Sequence, residues 1–341
     1  MPSAQRVKPL RIVVGSAGRR VYIVDWFRDA FKRLGVDGEV HVTDADARSA
    51  AYLSSTHRHL VPPYGDAAYA TAMIDLFDLI EPRLFVSLND YELAVLAMSG
   101  LAQRLEERGT TVLVPRGSIH ASLHDKYQMY GALTEARVPT VETVLASDNL
   151  GIARLTAREP NLIIKDRYGS GSSGLVHVPS SELELALRWV SRPSAGKDPS
   201  SFVVQPALEG SEFGLDVVAP LTAGGHDVRV LARRKLRMRA GETDQAETVD
   251  PGPFNELALR LAAWTGHRGG IDVDLIGESP ASAKVIDINP RFGGGYPFSH
   301  RAGADIPALI VDQLVRGRSD ATAFLRYRVG TQSSKFEAIT N

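Results

Sequence analysis

Two stretches toward the C-terminal end carry the residue types best suited to chemistry. Ile271-Asp272-Val273-Asp274 and, after an interval that reads as a hairpin, Val285-Ile286-Asp287-Ile288-Asn289-Pro290-Arg291 alternate polar with apolar side chains. Successive side chains of a strand point to opposite faces, so Asp272 and Asp274 share a face, as do Asp287, Asn289 and Arg291. If the two strands pair, several oxygen ligands and one guanidinium converge on a single patch. An oxygen-only set suits Mg²⁺, which takes carboxylates together with substrate phosphates. Alternation alone is also what a solvated sheet face shows. Pro290 and the run Phe292-Gly293-Gly294-Gly295-Tyr296 weigh against that bland reading, because glycines beside charges suit backbone that approaches a ligand closely.

A second segment, Leu162-Ile163-Ile164-Lys165, runs through Asp166-Arg167-Tyr168 into Gly169-Ser170-Gly171-Ser172-Ser173-Gly174. A strand ending in lysine and opening into such a loop can set N–H groups and an ammonium around phosphates. The spacing is not that of a P-loop, and a surface hairpin accounts for an isolated glycine–serine loop about as well. Lys126 is another candidate phosphate ligand, although most helix lysines are solvated surface. Val203-Val204-Gln205-Pro206-Ala207-Leu208 leads to Glu212, a connector that can read adenine through main-chain groups and ribose through the carboxylate. Taken alone, an ordinary strand exit explains that connector better. Arg233, Lys235, Arg237 and Arg239 fall on one strand face, either an edge guarded by charge or a surface that neutralises a triphosphate or anionic substrate. Gly15-Ser16-Ala17-Gly18 lacks the dinucleotide spacing and suits an anion at a helix start better than NAD.

These segments need elements to hold them. Strands are expected at residues 10–14, 39–43, 84–88 and 111–114, and helices at 21–34, 69–80 and one long helix at 92–108. Strands separated by helices imply a parallel sheet covered on both faces. A helix over 125–137 follows, with Ser122 and Asp125 forming a capping-box-like start. Beyond it the texture turns to strands at 161–165, 202–205, 213–219, 228–239, 270–276 and 283–288, with helices at 182–190, 254–264 and 306–315. Residues 191–200 read as a loop.

Composition bounds the function. The 341 residues suit two or three domains. With 39 Lys+Arg against 40 Asp+Glu, the net charge of −1 argues against a dedicated nucleic-acid binder. Zero cysteines exclude disulfides, a thiol nucleophile and Cys-ligated metal. No apolar run approaches the ~18 residues of a membrane span, and residues 12–14 are too short a run for a secretory leader, so a cytoplasmic protein without a membrane partner is expected.

In this order the segments resemble the ATP-grasp superfamily, over about residues 10–312. The nearest flavour is that of the carbamoyl phosphate synthase large chain and related stand-alone carboxylate–amine ligases. Asp287-Ile288-Asn289-Pro290-Arg291 is similar to the family's E-[IM]-N-P-R. His124-Asp125-Lys126, Val138-Pro139-Thr140, Ile164-Lys165 with its loop, and the connector from Gln205 to Glu212 are similar too. The resemblance implies a mixed α/β and α+β chain: a Rossmann-like pre-ATP-grasp domain (1–117), a small lobe with a glycine-rich lid (118–205) and a C-terminal lobe with a metal-binding sheet (206–341). It implies that Lys126 and Lys165 contact phosphates, that Gly169, Ser170, Gly171, Ser172, Ser173 and Gly174 close over them, and that Gln205, Pro206, Ala207 and Leu208 form the adenine hinge with Glu212 on ribose. Asp274, Asp287 and Asn289 would hold Mg²⁺, two ions with Mn²⁺ as a substitute, with Asp272 as a competing ligand. Arg291 would meet the reacting carboxyl, making Arg291 and Lys165 the catalytic residues. The implied activity joins a small-molecule carboxylate to an amine, an amino acid or peptide among the candidates, through an acyl phosphate; a homodimer is compatible. A hydroxyl or thiol nucleophile, a small-molecule kinase and a nucleotide-binding regulator without turnover are the alternatives. Asp287 stands where the family usually has Glu, which shortens that carboxylate by one methylene.

Overall fold

The computed structural model describes residues 8–169, 175–192, 198–222, 227–317 and 320–339. The first sheet joins β1 (Leu10–Gly15), β2 (Gly38–Asp44), β3 (His57–Leu60), β4 (Leu84–Ser87) and β5 (Thr111–Val112), all parallel, in the order β3-β2-β1-β4-β5. This is a doubly wound arrangement with a switch point beside β1. The central strand needs two apolar faces, and Ile12, Val13 and Val14 are fully buried. The helix Val21–Leu34 covers one face through Ile23, Val24, Phe27, Ala30 and Phe31, and stops at Gly35 in the left-handed conformation. The expected long helix is instead two, Asp90–Met98 and Leu101–Glu106. Gly100, at φ 76°, breaks the pattern between them.

The second sheet joins β6 (Val144–Leu145), β7 (Asn161–Asp166), β8 (Val176–Pro179) and β9 (Phe202–Pro206) in the order β6-β9-β7-β8. The third joins β10 (Ser211–Ala219), β11 (Arg229–Arg239), β12 (Glu242–Val249), β13 (Gly269–Gly277), β14 (Lys284–Asn289) and β15 (Gln332–Ser334), antiparallel, in the order β14-β13-β10-β11-β12-β15. The sequence pattern misses β3, β6, β8, β12 and β15, which are short, polar or on edges. Among the described residues no helix is long and apolar enough to cross a membrane.

The third sheet has two unlike faces. Phe213, Leu215, Val217, Val230, Ala232, Ile271, Val273 and Ile288 form one core with Leu123, Met129, Leu133 and Val138. The other face carries Asp216 opposite Asp272, and Gly214 opposite both Asp274 and Arg233. Arg233 is 1% exposed and lies between Asp216 and Asp272, with 2.6 Å to each carboxylate. The basic strand is thus not an edge, and its Arg233 is committed to two acids rather than to a phosphate. β11 is interior, and register shifts after Lys235 and after Arg237 break its alternation. The glycine run is likewise explained by packing: a Cβ at Gly293 would overlap the Asp272 carboxylate, and one at Gly295 the Arg233 guanidinium. A buried ion triad tolerates no missing partner. Arg233→Met should therefore cost about 3–5 kcal/mol, read as a lowered urea midpoint, and Asp216→Asn in that background should recover part of the loss.

Candidate active site

The β13–β14 pairing builds the acidic patch. Asp274 lies opposite Asp287, and Asp272 opposite Asn289. The register shifts by one between these pairs and Leu275↔Val285, which leaves Ile286 as an extra residue. Pro139 and Thr140 brace the strand: Val285 donates its N–H to the Pro139 carbonyl at 2.9 Å, and the Thr140 hydroxyl donates to the Val285 carbonyl at 3.0 Å.

The two lysines reach the same cleft from other elements. Asp125, not Ser122, caps the helix Lys126–Glu135, accepting from the N–H groups of Tyr127 and Gln128. Ser122 lies inside the preceding helix, Gly117–His124. The Asp125 carboxylate also grips Arg167 at 2.8 and 2.6 Å, which ties this cap to the exit of β7. Lys126 donates to the Gly169 carbonyl. Lys165 projects from β7 as a largely enclosed ammonium whose pKa is lowered, chiefly by burial, with Lys126 adding repulsion and Asp287 opposing.

A cleft of about 790 Å³ gathers these groups, lined by Lys126, Lys165, Gly169, Leu208, Glu212, Asp274, Asp287, Asn289 and Arg291. The volume suits a small-molecule site. Ser170, Gly171, Ser172, Ser173 and Gly174 lie outside the described residues. The Gln205 side chain turns away, buried, and donates to the Thr143 hydroxyl at 2.8 Å. Pro206 ends β9 opposite Leu162, and the Ala207 N–H is spent on the Asn161 carbonyl at 3.0 Å.

Two further groups complete the site, one from the basic strand and one from the first domain. Lys235 lies 2.8 Å from Asp274 and 3.6 Å from Glu212, so an ammonium already balances the acidic patch. Asp90, from the first domain, holds Arg291 in a bidentate pair at 2.7 Å from both Nε and Nη2. Burial opposes the Arg291 charge, yet Asp90 raises its pKa overall. The Asn89 side chain caps the helix Asp90–Met98 and leaves the next carboxylate free to point outward. No motif signals Asp90, since the pair spans 201 positions.

Asp274, Asp287 and Asn289 offer oxygen only. No cluster of three or more His, Asp or Glu suited to a metal occurs among the described residues. Two carboxylates and an amide fit a hard cation that completes its shell with phosphate oxygens and water, as Mg²⁺ does. Asp272 is committed to Arg233, and burial first, then Asp274, pushes its carboxyl above the usual range. The Gly15–Gly18 turn packs over the buried carboxyl of Glu92, 2.7 Å from where a Gly15 Cβ would stand, and pyrophosphate there would meet that acid.

A parallel-sheet domain, a small antiparallel lobe and a larger antiparallel sheet enclosing a lysine- and carboxylate-lined cleft define the ATP-grasp architecture. Residues 198–334 match the family model "ATP-grasp in the biosynthetic pathway with Ter operon", and residues 12–113 match "PylC-like, N-terminal domain". The chain carries a PylC-like N-terminal domain and an ATP-grasp domain. No curated protein matches the sequence. Among solved structures it is similar to the biotin carboxylase domain of Hydrogenobacter thermophilus 2-oxoglutarate carboxylase with MgADP and bicarbonate (TM-score 0.72, 15% identity, 93% of this chain and 72% of that one). It is also similar to Campylobacter jejuni biotin carboxylase (0.71, 14%, 95% and 74%) and to Staphylococcus aureus N5-carboxyaminoimidazole synthetase with ADP (0.67, 14%, 92% and 79%). At such identities the likeness establishes the fold.

If the lysines hold phosphates, Lys126→Met and Lys165→Met should each weaken MgATP binding about tenfold to a hundredfold, the worth of one charge-assisted contact. Isothermal titration would measure it; unchanged affinity in both variants would remove the lysines from the nucleotide site.

Proposed function

We propose that this chain is an ATP-dependent carboxylate–amine ligase that forms an amide or peptide bond through an acyl phosphate, releasing ADP and phosphate. The observation that supports it most is the convergence, in one cleft, of Lys126 and Lys165 with Asp274, Asp287, Asn289 and Arg291. Phosphoryl transfer asks mainly for positioning and charge neutralisation, which such a set supplies. A carboxylate oxygen of the substrate attacks the γ-phosphorus of ATP and ADP leaves. The amine then attacks the acyl carbon, the C–O bond to phosphate breaks, and the amine's proton passes to solvent or a cleft carboxylate.

Lys126 and Lys165 neutralise the nucleotide's phosphates, while the hinge from Gln205 to Leu208, with Glu212, receives adenine and ribose. Gly169 lines the cleft on the side where the phosphates would sit. Asp274, Asp287 and Asn289 would hold Mg²⁺, which supplies charge neutralisation at the phosphates. Arg291, steadied by Asp90, faces the carboxylate and the departing phosphate. The substrates are small molecules, and the division into 1–117, 118–205 and 206–341 belongs to the same proposal.

Three experiments test this. Asp287→Asn or Asn289→Ala should abolish most ATP turnover in a folded protein. With ¹⁸O-carboxylate, MgATP and amine, label should appear in inorganic phosphate. Amide formed with unlabelled phosphate would exclude the acyl phosphate, and a stable phosphorylated substrate would mean a kinase. Arg291→Lys should lower turnover by about two to three orders of magnitude, because an ammonium cannot keep the bidentate Asp90 pair that steadies the charge.

A further inference from the structure

Arg20 is the second guanidinium of the cleft. It stands just before the helix Val21–Leu34, and its Nη1 donates to the Leu88 carbonyl at 3.0 Å and the Phe292 carbonyl at 3.3 Å. Those acceptors come from the first domain and from the third-sheet lobe, so the guanidinium is fixed by both walls of the cleft. Among the described residues it forms no ion pair. Burial first, and then the neighbouring Arg291, work against its charge; Tyr22, Glu242 and Asp90 work for it. An enclosed guanidinium without a carboxylate partner is costly unless an anion arrives.

Arg291 presents the opposite case, since its Nε and Nη2 edge is already filled by Asp90. Glu242, the other nearby acid, is engaged by Lys335 at 3.2 Å and Arg19 at 3.7 Å. Of the two adjacent guanidiniums, only Arg20 has its planar Nε–Nη2 edge without a hydrogen-bond partner among the described residues. Such an edge matches a carboxylate bidentately.

We infer that Arg20 is the carboxylate-recognition residue of the substrate site, seating a carboxylate of the molecule that enters beside Arg291. The assignment of this carboxylate to a ligase substrate rests on the proposed ligase activity, whereas the anion site itself is testable without turnover. The probe is malonate, titrated into the full chain without nucleotide or Mg²⁺, with inorganic phosphate as a second probe. Malonate should bind the natural protein and bind Arg20→Met at least about tenfold more weakly. Arg20→Lys should fall between them, keeping the charge and losing the fork. MgATP affinity should stay the same in all three, which also reports that the variants are folded. Should Arg20→Met fail that control, the Arg20→Lys comparison decides. Malonate bound equally by natural protein and variants, or not bound by the natural protein, overturns the site. Phosphate bound more tightly than malonate overturns the carboxylate assignment. None of these outcomes touches the ¹⁸O result, so the two proposals fail separately.

Discussion

The buried Arg233 guanidinium is the constraint around which the functional sheet is arranged. It pairs with both Asp216 and Asp272, and Ser299 donates its hydroxyl to Asp216 at 3.0 Å. The consequences are threefold. Gly214 and Gly295 must lack side chains to leave it room, and Gly293 must do the same for Asp272. Asp272 is committed to Arg233, while Asp274, Asp287 and Asn289 remain partly exposed toward the cleft. The helix Tyr296–Ala302, which supplies Ser299, is held over the sheet, and Phe292 and Tyr296 join the core shared with the first domain. A buried ion network is weak evidence of net stability, and it fixes the positions of the groups packed around it.

That shared core explains how a site can use residues about 200 positions apart. Ile12, Val14, Phe27, Leu84 and Val86 from the first domain pack in one cluster with Phe292, Tyr296, Ile306 and Leu309. The Asp90–Arg291 pair and the Arg20 contacts to Leu88 and Phe292 lie along the same seam. The apolar seam sets the relative placement of the two domains, and the polar groups at its rim inherit that placement. The first domain therefore contributes side chains to the wall of the cleft.

Much of this is legible in the sequence. Amphipathic periodicity gives the bounds of Val21–Leu34 and Tyr69–Ile80, and alternation puts Asp272, Asp274, Asp287 and Asn289 on paired strand faces. Three kinds of fact are not legible. Burial of Arg233 in the basic strand depends on partners at Asp216 and Asp272, which a local pattern cannot supply. The role of the glycines depends on which side chains lie above them, so a packing requirement and a ligand approach look alike in sequence. Asp90 and Arg20 carry no motif, because what qualifies them is a partner in another domain.

The subtlest of these is register. Ile276 pairs with Lys284 and Leu275 with Val285; continued without interruption, that register would set Asp274 against Ile286 and Asp272 against Ile288. Opposite residues of an antiparallel pair share a face, so the acids of β13 would face apolar residues while Asp287 and Asn289 turned to the core. The extra residue at Ile286 shifts the pairing by one and sets Asp274 against Asp287 and Asp272 against Asn289. A one-residue slip exchanges every side chain between faces, and a bulge is the local means of making that exchange once. Ile286 is left on the cleft wall, and Ile288 goes to the core beneath. Alternation within each strand is visible in the sequence, but the phase between the strands is not. That phase decides whether the oxygen ligands form one site or none.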